Sequence, residues 1–292
     1  MAVGLLACVR RRDGSGGEED VPFDVHEIEE GGGGSDSLRS VVLLPRWTRP
    51  DESLPILIAL PGRAEALRGP EASSRAWLRD YEIARAAARL RKPPLTPADF
   101  HAHVEPSRLE AINRSLAERP FRGLAVVCPS IPEALAKRPD ADSAEAFGKR
   151  VLDFLPRVRA MAPSSPAQRS VGIDGVSLGG RLALDAGLAH ARSFAAIGTL
   201  QPALRQHEED ALVQRIRQAI ATNPRLRLRL VTSRDDDFRD EVTSLHRALT
   251  EAGLSHDYEF IEGPHGYAFN RGPGAIEMLL WHDRVLRGER GL

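Results

Sequence analysis

Ser177 stands at the centre of Gly175-Val176-Ser177-Leu178-Gly179, with an apolar run before it and helix-forming residues after it. A strand that turns through such a small-residue corner into a helix is a nucleophile elbow: it strains the serine backbone and pushes the hydroxyl out at the end of a sheet. Glycine suits both flanks, because a Cβ there would meet the neighbouring strand or helix. The chemistry open to this serine is acyl transfer. Its hydroxyl is a poor nucleophile until a base takes the proton, so a histidine is needed, and an acid to orient that histidine. Both follow in the chain. An acidic turn, Asp235-Asp236-Asp237, comes after the apolar run 226–231, and Gly263-Pro264-His265-Gly266 comes after the run 258–261. His265 is the expected base. Three successive aspartates repel one another and cannot all face one histidine. Asp236 is the assigned acid; Asp235 and Asp237 are the alternatives, otherwise solvated turn residues or the cap of the next helix.

Acyl transfer also develops negative charge on the substrate carbonyl oxygen, which two backbone N–H groups must meet. Leu178, directly after the nucleophile, supplies one. The turn Pro61-Gly62-Arg63 should supply the other. Pro61 has no N–H, which leaves Gly62 or, the better placed, Arg63.

These groups need a scaffold that brings distant turns to one edge. Short apolar runs at 40–44, 54–60, 124–128, 171–176, 194–200, 226–231 and 258–261 read as strands covered on both faces, as in parallel sheets. Helical periodicity fills 144–160 (kinked at Pro156), 178–188, 208–221, 240–252 and 275–286. Strand and helix alternate from residue 123 onward, so the expected class is α/β: a doubly wound, mostly parallel sheet whose site lies at the carboxyl ends of the strands. A helical insertion, residues 64–120, follows the second strand. It contains an arginine-rich helix at 74–90, a Pro-rich turn and a helix at 106–117, and is either a cap over the site or a packing excursion. Residues 1–37, rich in Gly and acidic side chains, read as a flexible tail in which 21–28 could add an edge strand; residues 38–292 form the catalytic domain.

Composition narrows the function class. Forty basic against 41 acidic residues give a net charge of −1, so no global field favours nucleic acid. No apolar stretch reaches the length of a membrane span. Two cysteines are too few for a disulfide framework. Cys128 reads as a buried strand residue. Cys8 after Leu5-Leu6-Ala7 would suit a lipoprotein signal only if translation starts upstream, so a cytoplasmic enzyme is the default. His101 and His103 flank one alanine but lack the partners of a metal site; His190, His246 and His282 read as helix surface or packing residues. Trp47, Trp77 and Trp281 read as core, with Trp77 the best candidate for a substrate platform. No cofactor or metal is expected, and the oligomeric state is open.

The chain resembles the α/β-hydrolase superfamily, and within it the esterases related to esterase D and enterochelin esterase. The likeness runs from about Leu38 to the C-terminus and rests on 41–45 ahead of 54–62, Leu155-Pro156, Gly175–Gly180 and Gly263-Pro264-His265. It implies that Ser177, Asp236 and His265 act as nucleophile, acid and base on a small-molecule carboxylic ester, through an acyl-enzyme. The family's His-Gly at the oxyanion turn is Pro61-Gly62 here, and the insertion has no ready counterpart. Amide hydrolysis or acyl transfer on the same residues, and a non-catalytic binding protein on the same fold, are the competing readings.

Overall fold

The computed structural model describes residues 22–30, 38–48, 54–161 and 171–291. Cys8 and the glycine run 31–34 lie outside them. Eight strands form one sheet in the order β1-β2-β4-β3-β5-β6-β7-β8, where β1 is Phe23–Glu30, β2 Leu38–Pro45, β3 Ile56–Leu60, β4 Ala125–Pro129, β5 Val171–Gly175, β6 Ala196–Leu200, β7 Arg227–Asp235 and β8 Asp257–Pro264. β1 and β2 are antiparallel to their neighbours, and every other pairing is parallel. The sheet therefore has the mostly parallel, doubly wound form expected from the alternating runs. It begins before residue 38, because Phe23–Glu30 pairs along its whole length with β2. Counted with β1, the helical insertion follows the third strand, not the second.

Both faces of the sheet are covered, and the strands show it residue by residue. In β3, Ile56, Ile58 and Leu60 enter one hydrophobic cluster while Leu57 and Ala59 enter the other, the period-two alternation of a pleated strand. One face carries α6 (Ala141–Asp153), α7 (Leu155–Met161), α8 (Leu178–Ala189), α9 (Glu209–Thr222) and α10 (Arg239–Glu251). Phe147, Val151, Leu182, Leu184, Ile216 and Leu245 fill the space between them and the strands. The break between α6 and α7 falls at Phe154, two residues before Pro156, because a proline ring disfavours helical geometry in the preceding chain.

The insertion supplies the opposite face. It comprises α1 (Arg63–Ala66), α2 (Pro70–Arg79), α3 (Ile83–Leu90) and α4 (Pro106–Glu118), with the short α5 (Glu133–Lys137) following β4. α2 packs on β2 and β4, and α3 packs on α12 (Ala275–Val285). The run read as one helix at 74–90 is two: Glu82 takes the left-handed conformation (φ 52°, ψ 37°) at the start of α3, and the chain turns there so that both apolar stripes reach the sheet side. Trp77 is fully buried and meets Tyr81 edge to face, which makes it core rather than a substrate platform. Cys128 is buried in β4, and burial pushes its thiol well above the usual range, so the thiol stays protonated. Among the described residues no helix is long and apolar enough to cross a membrane.

Candidate active site

The elbow is built by close contact of backbones. Ser177 sits at φ 55°, ψ −117°, a region where a non-glycine residue is strained and persists only if the surroundings over-determine it. They do: the Ser177 N–H donates to Leu200 O at the end of β6 (2.9 Å), and its carbonyl accepts from Ala203 N–H (3.0 Å) and from Arg181 N–H in α8 (3.0 Å). The two glycines of the motif make the corner possible. A Cβ on Gly175 would lie 2.5 Å from Gly179 C and O, and one on Gly179 would lie 2.4 Å from Pro61 O and 2.5 Å from Leu60 O. The first turn of α8 is thus in backbone contact with the turn after β3. Gly179→Ala is expected to force these chains apart and to cost about 1–3 kcal/mol, the range for overpacking, measured as a lowered urea midpoint.

The acid and the base come from the ends of β7 and β8. His265 Nδ1 donates to Asp236 Oδ1 at 2.8 Å, and the Asp236 side chain is fully buried. Thr232 Oγ1 donates to Asp236 Oδ2 (2.6 Å) and Phe238 N–H to Oδ1 (3.1 Å). Asp235 and Asp237 point into solvent; Asp235 contributes its carbonyl, which accepts from His265 N–H at 3.2 Å. Phe238 closes one edge of the imidazole, edge to face at 5.3 Å between ring centres. With a proton on Nδ1 facing the carboxylate, the Nε2 lone pair is left as a base. The structure places Ser177, Asp236 and His265 at the carboxyl ends of the parallel strands β5, β7 and β8, on one edge of the sheet. No hydrogen bond joins Ser177 Oγ to His265 among the described residues.

Arg63 and Leu178 are the first residues of α1 and α8, where a helix leaves its N–H groups without an intrahelical acceptor. Gly62 differs: its N–H donates to the Tyr81 hydroxyl at 3.1 Å. Of the two candidates in this turn, Arg63 is therefore the one whose N–H remains available. The Arg63 side chain is drawn away, its guanidinium donating to Ala136 O at 2.7 Å.

Three features of the site escaped the sequence. Gln201, at φ 44° directly after β6, donates from Nε2 to Ser233 Oγ (2.6 Å) and Pro264 O (3.2 Å), while Ser233 donates to Gly263 O (2.6 Å). This relay, with Gln201 and Ser233 fully buried, ties the histidine loop to the strand beside the elbow; a polar residue closing an apolar strand was its only sequence signal. Second, the buried carboxylate of Glu65 accepts from the hydroxyls of Tyr81 and Tyr267. Burial first, then Glu65, pushes the Tyr81 phenol well up, and the bond to Glu65 first, then burial, pushes Tyr267 up to about 12, so both remain donors. Third, a charged layer lies under the elbow. Asp174 accepts from Gly175 N–H (2.7 Å), His282 Nε2 (3.0 Å) and Arg229 (3.4 Å), all of them buried.

His282 carries a pH prediction. Burial first, opposed by Asp174 and aided by Arg229, holds its imidazole below the ordinary value. The unfolded chain therefore takes up a proton near pH 6.5 that the folded chain refuses. Stability is full above that value and is lost as pH falls through it, by up to about 1.4 kcal/mol per pH unit. His246, also lowered by burial and by His256, acts in the same sense. Urea denaturation between pH 7.5 and 5.5 should thus show a slope that is smaller in His282→Gln than in the wild type.

Among the described residues no group of three or more His, Cys, Asp or Glu side chains is arranged to hold a metal ion. His101 instead meets the Arg85 guanidinium at 3.2 Å, and His103 packs beside Gly263.

No protein-family model and no curated protein matches the chain. Solved structures do. The S-formylglutathione hydrolase FrmB of Staphylococcus aureus superposes with a TM-score of 0.62 at 16% identity, over 91% of this chain and 99% of that one. The fluorophosphonate-binding serine hydrolase FphF of Staphylococcus aureus gives 0.61 at 15%, over 90% and 99%. The enterobactin esterase FES of Shigella flexneri gives 0.57 at 16%, over 89% of this chain and 59% of that one. Its sheet, its elbow and these superpositions give the chain the α/β-hydrolase fold.

Proposed function

We propose that the protein is a serine hydrolase that cleaves a small-molecule carboxylic ester through an acyl-enzyme. The observation that carries this reading is the Asp236–His265 hydrogen bond at the same sheet edge as a serine held in a strained elbow. In the proposed cycle Ser177 Oγ bonds to the ester carbonyl carbon while its proton passes to His265 Nε2. The carbonyl electron pair moves onto oxygen, where the N–H groups of Leu178 and Arg63 receive it, Gly62 being the alternative donor in that turn. Collapse expels the alcohol, which takes the proton from His265. Water then attacks the acyl carbon, again giving its proton to His265, and the acid leaves as Ser177 regains its hydrogen. Asp236 keeps the imidazole oriented and offsets its positive charge. Each step uses only the chain and water, so no cofactor enters.

The solved neighbours are named for S-formylglutathione, ferulic acid and enterobactin. These have little in common beyond an acyl carbon bonded to a leaving oxygen or sulfur. That favours ester cleavage as the reaction class and leaves the acyl group to experiment. Residues 64–120 act in this reading as the wall of the site rather than a separate cap, since Tyr81 bonds to Gly62 and Glu65 to Tyr267 beside the histidine loop. A cytoplasmic setting is the default for this reading, with lipid anchoring through Cys8, should translation start upstream, as the alternative.

Incubation with a fluorophosphonate should add one phosphonyl group, located by peptide mass at Ser177, and p-nitrophenyl esters of short acids should be hydrolysed. A wild-type protein that takes no label and hydrolyses no ester in a panel of short-chain, long-chain and aryl substrates would overturn the proposal.

A further inference from the structure

A buried carboxylate stands directly behind the turn that holds the proposed oxyanion donor. Glu65 is 3% exposed. Its Oε2 accepts from the Tyr81 hydroxyl at 2.5 Å, and its Oε1 accepts from the Tyr267 hydroxyl at 2.6 Å. The Arg68 guanidinium approaches Oε1 at 3.9 Å while bonding Asp80. The Tyr81 oxygen in turn accepts the Gly62 N–H. The fit is close: a Cβ on Gly62 would lie 3.0 Å from Glu65 Oε2 and 3.1 Å from the Tyr81 oxygen. Three parts of the chain therefore converge on one carboxyl group: the turn after β3, the corner between α2 and α3, and the loop two residues beyond His265.

A core needs no such group. Burying a carboxylate is costly unless its lone pairs are bonded, and apolar side chains would fill the same space more cheaply. What the arrangement does accomplish is geometric. Occupying the Gly62 N–H fixes the plane of the Pro61–Gly62 peptide, and the Gly62 carbonyl, which accepts from Ala66 N–H at 3.2 Å, fixes the following plane; held on both sides of Gly62, the turn sets the direction of the next N–H, that of Arg63. Holding Tyr267 fixes the start of the helical turn 267–269, and so the height of the His265 loop above the elbow.

We infer that Glu65, Tyr81 and Tyr267 are positioning residues for acyl transfer, in which one carboxylate sets the oxyanion-donating turn and the histidine loop in register. The inference rests on the serine hydrolase reading and goes further: it commits the turn to Arg63 as donor and assigns the insertion a part in the chemistry. Charge on the carbonyl oxygen appears only as the reaction proceeds, so a misaimed donor lowers kcat and leaves substrate binding nearly unchanged. A role in stability alone would not give that split.

The test compares wild type with Tyr81→Phe, Glu65→Gln and Tyr267→Phe on a p-nitrophenyl ester, and measures inhibition by an aryl trifluoromethyl ketone. That ketone bonds to Ser177 Oγ, passes the serine proton to His265 and places a full negative charge on its oxygen. Tyr81→Phe and Glu65→Gln are expected to lower kcat about 10- to 100-fold, below the loss for removing a donor outright. KM should stay within about threefold, and the ketone should weaken by the same factor as kcat/KM. Fluorophosphonate labelling of Ser177 should still reach completion, more slowly. If Tyr81→Phe and Glu65→Gln do not fold, Tyr267→Phe decides alone, since its ring is half exposed; kcat should then fall severalfold with KM unchanged. Folded, fully labelled variants with kcat within twofold of wild type would sink the inference while the serine hydrolase stands. So would a loss in KM alone. A wild type that takes no label would remove the reading beneath it instead.

Discussion

Ser177→Ala is expected to abolish fluorophosphonate labelling and to lower ester hydrolysis by about 10⁴- to 10⁶-fold, the range seen when an acyl-transfer serine is lost from an otherwise intact site. The fold should barely notice. Ser177 is held by its main chain, whose N–H and carbonyl bond to Leu200, Arg181 and Ala203, and no hydrogen bond of its Oγ is found among the described residues. Alanine keeps the Cβ and therefore the same strain at φ 55°, so stability should stay within about 0.5 kcal/mol, as for substitutions that break no buried contact. The residual rate would come from the oxyanion donors and the bound imidazole, which still favour attack by water. Hydrolysis of an activated ester followed beside labelling separates the two roles. An alanine variant that keeps more than a tenth of the wild-type rate would place the chemistry on another residue.

The elements that could be read from sequence were those in which one physical requirement dominates. Strands covered on both faces must be largely apolar, so β3 to β6 showed as short runs that the structure matches to within two residues at either end. The elbow was legible because backbone proximity, not side-chain chemistry, demands glycine at 175 and 179. Boundaries failed where tertiary packing overrode periodicity. Nothing local in Arg79-Asp80-Tyr81-Glu82 announces a break, yet Glu82 adopts φ 52° so that α2 and α3 can each face the sheet. The edge strand β1 was marginal for the opposite reason: apart from Val25 its exposed residues are charged, and it is secured by pairing with β2 and by ion pairs from Glu27 to Arg39 and Arg75, none of which has a local signature.

The site divides along the same line. Residues on turns that follow recognisable strands could be named, because topology alone brings those turns to one edge. The supporting groups could not. Gln201 meets Ser233 32 residues on, Asp174 meets His282 108 residues on, and Glu65 meets Tyr267 202 residues on. An isolated polar residue in an apolar context gives no hint of which distant group it will meet. His282 illustrates this: on a helix it reads as surface or packing, with nothing to choose between them, but α12 is buried along its whole length, and the imidazole lies under Gly172 and Gly198, where a Cβ would crowd it.

Among the three aspartates, the structure makes a graded prediction. Asp236→Asn should lower kcat on an activated ester by about 10³-fold, and Asp235→Asn and Asp237→Asn by no more than a few-fold. The magnitude follows from what asparagine keeps. Phe238 N–H and His265 Nδ1 both donate to Oδ1, so the substituted amide will present its oxygen on that side and turn its NH₂ toward Thr232, whose hydroxyl can rotate to accept. The imidazole tautomer is thereby preserved, and the loss is mainly that of a negative charge beside a ring that becomes positive in the transition state. Unit charges about 4 Å apart interact by roughly 4 kcal/mol at an effective dielectric near 20, which corresponds to about three decades of rate. An amide flipped the other way would force Nδ1 to accept and leave the proton on Nε2, and the loss would then approach the roughly 10⁴-fold of a wrong-tautomer histidine. Either outcome stands far from the solvent-facing neighbours, whose carboxylates are screened and make no bond to the ring. Three variants within a few-fold of wild type would show that His265 works without a carboxylate partner, and a dominant effect at Asp235 or Asp237 would mean that the acidic turn rearranges when substrate binds.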